Sequence, residues 1–356
     1  MRARRIPLAA PLLLVLLAPE PEFAARRSAP PPGERPVAFR TARRPDPLAH
    51  TFSVVARDSE TGEIGVAVQS HYFSVGPIVP WAEPGVGAVA TQSLVEVGYG
   101  PRGLEMMRSG KDAKQTLDDL LARDENRDVR QVAMIDARGT VAAFTGSRCI
   151  SAAGHQIGAQ YSVQANLMSN ADVWPSMARS YERTRGDLAT RLLAALEAGQ
   201  RAGGDIRGQQ SAAILIVKGS RSGEPWGDRV MDLRVEDHPR PIQELRRLIA
   251  LWRAYRHEDQ GDAFIAENRV DEALEEYAQA ARLAPQNMEL LFWQGVTLWK
   301  LGREKEATPI LRKVFQRDRR WVHLVPRLVP SGLLDDDPEG IRRIQALAPP
   351  ARRPRR

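Results

Sequence analysis

Three short runs of polar residues interrupt otherwise apolar stretches of this chain. Gln69, Ser70 and His71 close "IGVAVQSH"; Thr91, Gln92 and Ser93 close "VGAVATQS"; Tyr161, Gln164 and Asn166 lie within "YSVQANLMSN". Amide and hydroxyl groups at strand ends can gather at one rim of a sheet, where they hold an oxyanion or bind an amide or carboxylate. Each residue alone reads most simply as a hydrogen-bonded strand end; it is their clustering that points to a binding cleft. Other chemistries lack their residues. There is no Gly-rich phosphate loop, no HExxH pair among six histidines and no GxSxG turn. Cys149 is the single cysteine, which excludes an internal disulfide and reads as a small buried hydrophobe. Asp232, Asp237 and His238 in "DLRVEDH" could in principle ligate a metal, but Asp-His-Pro before Pro241 reads better as a turn and helix cap. No metal or organic cofactor is expected.

The elements that would position these residues alternate in blocks. "TFSVVAR" and "IGVAVQS" flank the turn residues "DSETGE" and predict a hairpin from Thr51, with "VGAVATQS" as a third strand. Pro101 marks a helix start, and Ala113, Leu117, Leu120 and Leu121 share one face of a second helix over 112–124. A second hairpin follows in "RQVAMIDARGTVAAFTG", then helical periods over 172–184 and 187–202, then the buried strand "SAAILIVKG". Strands, helices, strands, helices and strand in that order predict two sheets packed between helical layers: an α+β, four-layer α-β-β-α sandwich spanning 51–240.

Beyond residue 240 the pattern repeats. Gly261 and Gly295, Ala273 and Ala307, and the turn residues Asn268 and Gly302 are each 34 residues apart. With Tyr277, Ala280 and Pro285 in order, 254–287 and 288–321 resemble two tetratricopeptide repeats. They form part of a helical domain over 241–346 whose groove would take a protein partner.

The ends have a different composition. Arg2, Arg4 and Arg5 precede an apolar run from Ile6 to Ala18, so 1–25 reads as a secretory signal peptide, or as an anchor if it is not removed. Six prolines and no apolar period predict a disordered linker over 26–50, and 347–356 form a basic tail. Nine Arg and four acids within 1–50 give +5, and six Arg within 341–356 give +6. Residues 51–340 therefore carry −4 of the total +7. Basicity confined to tails is weak support for a specific nucleic-acid site. An exported protein, periplasmic or extracellular, is expected.

Six blocks, from "TFSVVARDSETGEIGVAVQSHYFSVGPIVPWAEPGVGAVATQS" through "GHQIGAQYSVQANLMSN" to "DLRVEDHPRPIQELRRL", resemble the domain-of-unknown-function family numbered 1028. The resemblance implies a fold of the N-terminal nucleophile hydrolase type and makes Thr51, the residue that opens the domain, the candidate nucleophile. In that chemistry a free α-amine, with a pKa of about 7.7–8.0, takes the proton of its own hydroxyl. Asn166, Gln69 or Gln92 would hold the oxyanion. Arg57 or His71 would pair with a substrate carboxylate, and Ser93, Tyr161 and Gln164 would line the site. The expected substrate is a small-molecule or peptide amide, and a homo-oligomer is compatible with the chain. Two features depart from an active pattern: Thr51 is internal, and no Lys lies between it and Lys111. A catalytically inactive binding module of the same fold is therefore the other reading.

Overall fold

The computed structural model describes residues 46–350. The segment expected to be a signal peptide, most of the expected linker and the last residues of the basic tail lie outside these. Among the described residues, no helix is long and apolar enough to cross a membrane.

The chain builds eleven strands and ten α-helices in this region. One sheet joins β1 (Leu48–Ala49), β5 (Gly87–Leu94), β6 (Arg130–Asp136) and β7 (Val141–Thr145) in that order, with β4 (Pro80–Glu83) also paired to β5. The other runs β11 (Arg229–Val235), β10 (Ser211–Val217), β3 (Ile64–Ser70), β2 (Thr51–Arg57), β9 (Tyr161–Ala165) and β8 (Gly154–Gly158). All pairings are antiparallel.

Period-2 alternation assigns each strand two apolar faces. In β2, Phe52, Val54 and Ala56 pack with α3 (Val173–Arg183) and α4 (Leu188–Arg201), whereas Val55 joins Val66, Val68, Ala88, Ala90 and Ile135 between the sheets. On the far side, Val89, Val132 and Met134 meet α1 (Tyr99–Arg108) and α2 (Ala113–Ala122). Asp112 starts α2 by a reciprocal capping box with Gln115. The result is the four-layer α-β-β-α sandwich. It contains strands β1, β4 and β8, which the sequence pattern did not reveal.

The helical region departs from expectation at its entry. The helix predicted to precede the repeats and the first helix of the first repeat are one continuous element, α5 (Pro241–Ala266). Its first half buries Ile242, Leu245 and Ile249 against the second sheet's helical layer. Its second half packs on α6 (Val270–Leu283), and α7 (Met288–Lys300) packs on α8 (Glu304–Arg317). The 34-residue period has a steric cause. A Cβ on Gly261 would lie 2.6 Å from the Tyr277 ring, and one on Gly295 would lie 2.7 Å from Leu311 Cδ2. Tyr277 and Leu311 are themselves 34 residues apart. Asn268 and Gly302 both take left-handed φ values, 59° and 73°, at the turn between paired helices.

Candidate active site

Thr51 stands where the chain changes sheets. Leu48 and Ala49 pair with Leu94 and Ser93 in the first sheet, and two residues after Ala49, Thr51 pairs with Ser70 in the second. His50 is the crossing. This corrects the linker expectation at its C-terminal end, since residues 46–50 are bound to the sandwich rather than free. The Thr51 side chain is fully buried, and its Oγ1 donates to the Ala49 carbonyl at 2.9 Å. The His50 carbonyl, the acyl group of the bond to Thr51, accepts from Ser70 Oγ at 2.7 Å and from Arg207 Nη2 at 2.9 Å. Arg207 is held in place by a two-point pairing with Asp205, whose side chain is wholly buried.

Behind this carbonyl a chain of side-chain hydrogen bonds runs between the sheets. Ser162 Oγ donates to Gln164 Oε1, Gln164 Nε2 to Ser53 Oγ, and Ser53 Oγ to Gln92 Oε1. Gln92 Nε2 donates to the Thr51 carbonyl at 3.2 Å and to Gln131 Oε1 at 2.7 Å. Asn166 Nδ2 donates to the same Gln131 oxygen, and the Asn166 backbone N–H donates to the Thr51 carbonyl. Gln131 Nε2 in turn reaches Thr145 Oγ1 and the carbonyls of Gly154 and Ala165. Strand alternation explains why these polar groups meet. Ser53 faces Gln164 in register, and Gln92 faces Gln131, each pair on the inner face of its sheet.

This order also sets the state of His50. Because Asn166 spends its NH2 on Gln131, its Oδ1 faces His50 Nδ1 at 2.7 Å and accepts a hydrogen bond from it. Burial lowers the His50 pKa, opposed by the Asn166 bond. The ring is therefore a neutral Nδ1–H tautomer at pH 7. His155, 2.8 Å from Thr145 Oγ1, is also lowered by burial.

The residues singled out in the sequence divide into two groups. Thr51, Gln92, Gln164 and Asn166 lie in one connected network. Ser93 adjoins it at the end of β5, opposite Ala49 in register and at φ 75°. His71 reaches its rim, where its backbone N–H points to Asp205 Oδ2 at 3.4 Å. Gln69, Arg57 and Tyr161 lie elsewhere, and their placement is corrected. Gln69 is in register with Phe52 and Ala212, so it faces the α4 layer, and its side-chain polar atoms are buried without a protein partner. Arg57 closes the opposite end of β2, six residues or about 20 Å from Thr51, and binds Gln160. Tyr161 is opposite Ala56 at that far end, and its hydroxyl donates to Glu182.

Sequence reasoning missed Ser53, Gln131, Asp205, Arg207 and His50 itself. Ser53 and Gln131 carried a usable signal, being polar at inward positions of apolar strands. Arg207, in the loop "GGDIRGQQ", carried none. Asp232, Asp237 and His238 do not converge: Asp232 binds Arg229 and Arg234, and His238 Nδ1 accepts from the Arg240 N–H beside the start of α5. No group of three His, Cys, Asp or Glu suited to a metal occurs among the described residues.

Comparison with known proteins finds the family of unknown function DUF1028 over residues 51–245 and a tetratricopeptide repeat model over 261–302. The crystal structure of protein SPO2555 from Silicibacter pomeroyi, of the same family model, is 31% identical, with a TM-score of 0.51, over 56% of this chain and 84% of that one. Anbu, the ancestral beta-subunit from Yersinia bercovieri, matches over 55% of this chain and 92% of its own at 11% identity and a TM-score of 0.29. No curated protein matches. The sandwich that carries the Thr51 cluster thus coincides with a recognised family, and this chain belongs to the DUF1028 family, with tetratricopeptide repeats on its C-terminal side.

Proposed function

We propose that the protein is an exported amidohydrolase of the N-terminal nucleophile type, in which Thr51 first frees itself and then attacks amide substrates. The observation that carries this reading is the pair of donors on the His50 carbonyl, Ser70 Oγ and Arg207 Nη2. A carbonyl held by a hydroxyl and a fixed guanidinium is prepared to become an oxyanion. In the first step Thr51 Oγ1 adds to the His50 carbonyl carbon. The intermediate then expels the Thr51 nitrogen, which takes the hydroxyl proton, and leaves an ester. Water hydrolyses the ester to a His50 carboxylate and a Thr51 with free amine and hydroxyl. The amine then serves as base for attack on a second amide, and the same two donors receive its oxygen. Arg207 supplies the positive field that a lysine would otherwise provide, without exchanging protons itself.

The intact mass of the purified chain tests the reading. A chain that begins at Thr51 is expected. Thr51→Ala should stay uncut, and Arg207→Ala should be cut at least ten-fold more slowly. The bond between Thr51 Oγ1 and the Ala49 carbonyl favours a second reading, an uncut binding module whose repeats engage a protein partner. A wild-type chain that stays whole under all conditions of pH and time selects that reading.

A further inference from the structure

We propose that the cleft at Thr51 takes the acyl side of an extended peptide. The peptide adds as an antiparallel strand to the edge of β5 and carries a carboxylate four residues before the carbonyl under attack. This deepens the hydrolase reading and rests on it for the chemistry, though not for the binding.

A segment of this chain is already seated there. Asp46–His50 ends in the carbonyl that Thr51 would attack, so once cut it is an acyl product, and product and substrate share the same contacts on that side. Three kinds of contact hold it. The backbone extends the sheet: β4 covers β5 from Gly87 to Ala90, the Val79 carbonyl accepts the Thr91 N–H, and residues 47–49 cover the end of the edge, with Leu48 and Ala49 opposite Leu94 and Ser93 and with the Val95 N–H on the Pro47 carbonyl. From Ser93 to Val95 the edge carries backbone groups that an added strand pairs with. At the upstream end, Arg130 Nη1 donates to Asp46 Oδ2 at 2.7 Å.

Arg130 is a built site rather than a surface contact. Its side chain is 3% exposed, fixed by Nε on Asp124 at 2.8 Å and by Nη1 on the Leu94 carbonyl at 2.8 Å. Asp124 is further shared with the Tyr99 hydroxyl. None of these partners belongs to the leaving segment. When residues 46–50 depart, the guanidinium stays where it is and presents Nη1 to the next carboxylate. At the downstream end, His50 is 4% exposed and its ring donates to Asn166, so the residue that carries the carbonyl is selected for a side-chain donor.

The reaction balances without a co-reactant other than water. The peptide carbonyl carbon forms an ester to Thr51 Oγ1 as its C–N bond breaks, and the amine leaves with the hydroxyl proton. Water then releases the carboxylic acid and restores the hydroxyl.

The test uses the chain 51–356. It keeps ten of the eleven described strands, and β1 contributes only Ala49 to the hydrophobic clusters. Fluorescence anisotropy would follow the labelled peptide Pro-Asp-Pro-Leu-Ala-His, the sequence of residues 45–50. Saturable binding is expected, weakened at least ten-fold when Asn replaces the peptide's Asp. Absence of saturable binding, or equal binding of the two peptides, overturns the proposal. A parallel assay with the same peptide as its coumarin amide reads the chemistry separately. Asp-dependent binding without coumarin release leaves the peptide site standing and removes Thr51 as its nucleophile. Release from unrelated amides with no preference for the Asp peptide keeps the nucleophile and overturns the peptide site.

Discussion

Gln131 ties the two sheets together at the level of single residues, accepting from Gln92 and Asn166 and donating to Thr145 and two carbonyls. Replacing it by Leu strands at least two buried donors, each costing about 1–3 kcal/mol. Gln131→Leu is therefore expected to lower unfolding stability by about 3 kcal/mol or more in a urea titration; a loss under 1 kcal/mol would mean that the network is not structural. His50 gives a second prediction. Burial depresses its pKa, so a freed His50 binds a proton at about 6.5 while the docked ring resists it. The docking of residues 46–50 is thus fully favoured above that pH and weakens as pH falls through the interval below it. In the uncut Thr51→Ala chain, protease should cut near residues 46–50 faster at pH 5.5 than at pH 7.5, and a His50→Asn variant should lose that difference.

At the scale of elements, α5 joins the sandwich to the repeats and carries an unusual carboxyl on its second half. Glu258 is 7% exposed, its Oε1 has no protein partner, and burial together with Asp262, Glu289 and Asp259 raises its pKa to about 7. A carboxylate raised this way favours the folded state when protonated. Its contribution is complete below the ordinary carboxylate pKa of about 4.3 and lost as pH rises through about 7. The helical region should therefore melt at a lower temperature at pH 8 than at pH 5.5. Glu258→Gln should flatten that dependence and raise the melting temperature at pH 8 by several degrees. An unchanged pH profile in the variant would place the titrating group elsewhere.

For the whole molecule, the continuity of α5 sets where the chain can be divided. Ile242, Leu245 and Ile249 belong to the sandwich core, whereas Ala254 packs with Ala280 and Leu290 of the repeats. A chain ending at Arg253 should remain soluble and keep its Thr51 cluster. One ending at Arg240 uncovers the apolar face that those three side chains bury and should aggregate. Size-exclusion chromatography and circular dichroism separate the two outcomes, and equal behaviour of both truncations would contradict the shared role of the helix.

Much of this molecule is local in origin. The alternation in "TFSVVAR" and "IGVAVQS" specifies which side chains share a face, because successive residues of a strand point to opposite sides whatever the strand meets. The 34-residue recurrence of Gly261 and Gly295 specifies two helix pairs, because each Gly admits a bulky partner at the same offset. Thr51 as a candidate follows from the family resemblance; these local rules, with the block order, were enough for the layered fold and for Gln92, Gln164 and Asn166 as candidates. They could not separate Gln69 from Gln92. Both end apolar strands, and only the packing of two sheets and two helical layers turns one toward α4 and the other toward Thr51. Nor could they find Arg207, which reaches the His50 carbonyl from 157 positions away along the chain. The same limit hid the docked segment. "DPLAH" has the composition of a linker, and its Leu48 and Ala49 become a strand because β5 offers an unpaired edge and Arg130 a buried charge, both assembled only after the chain has folded.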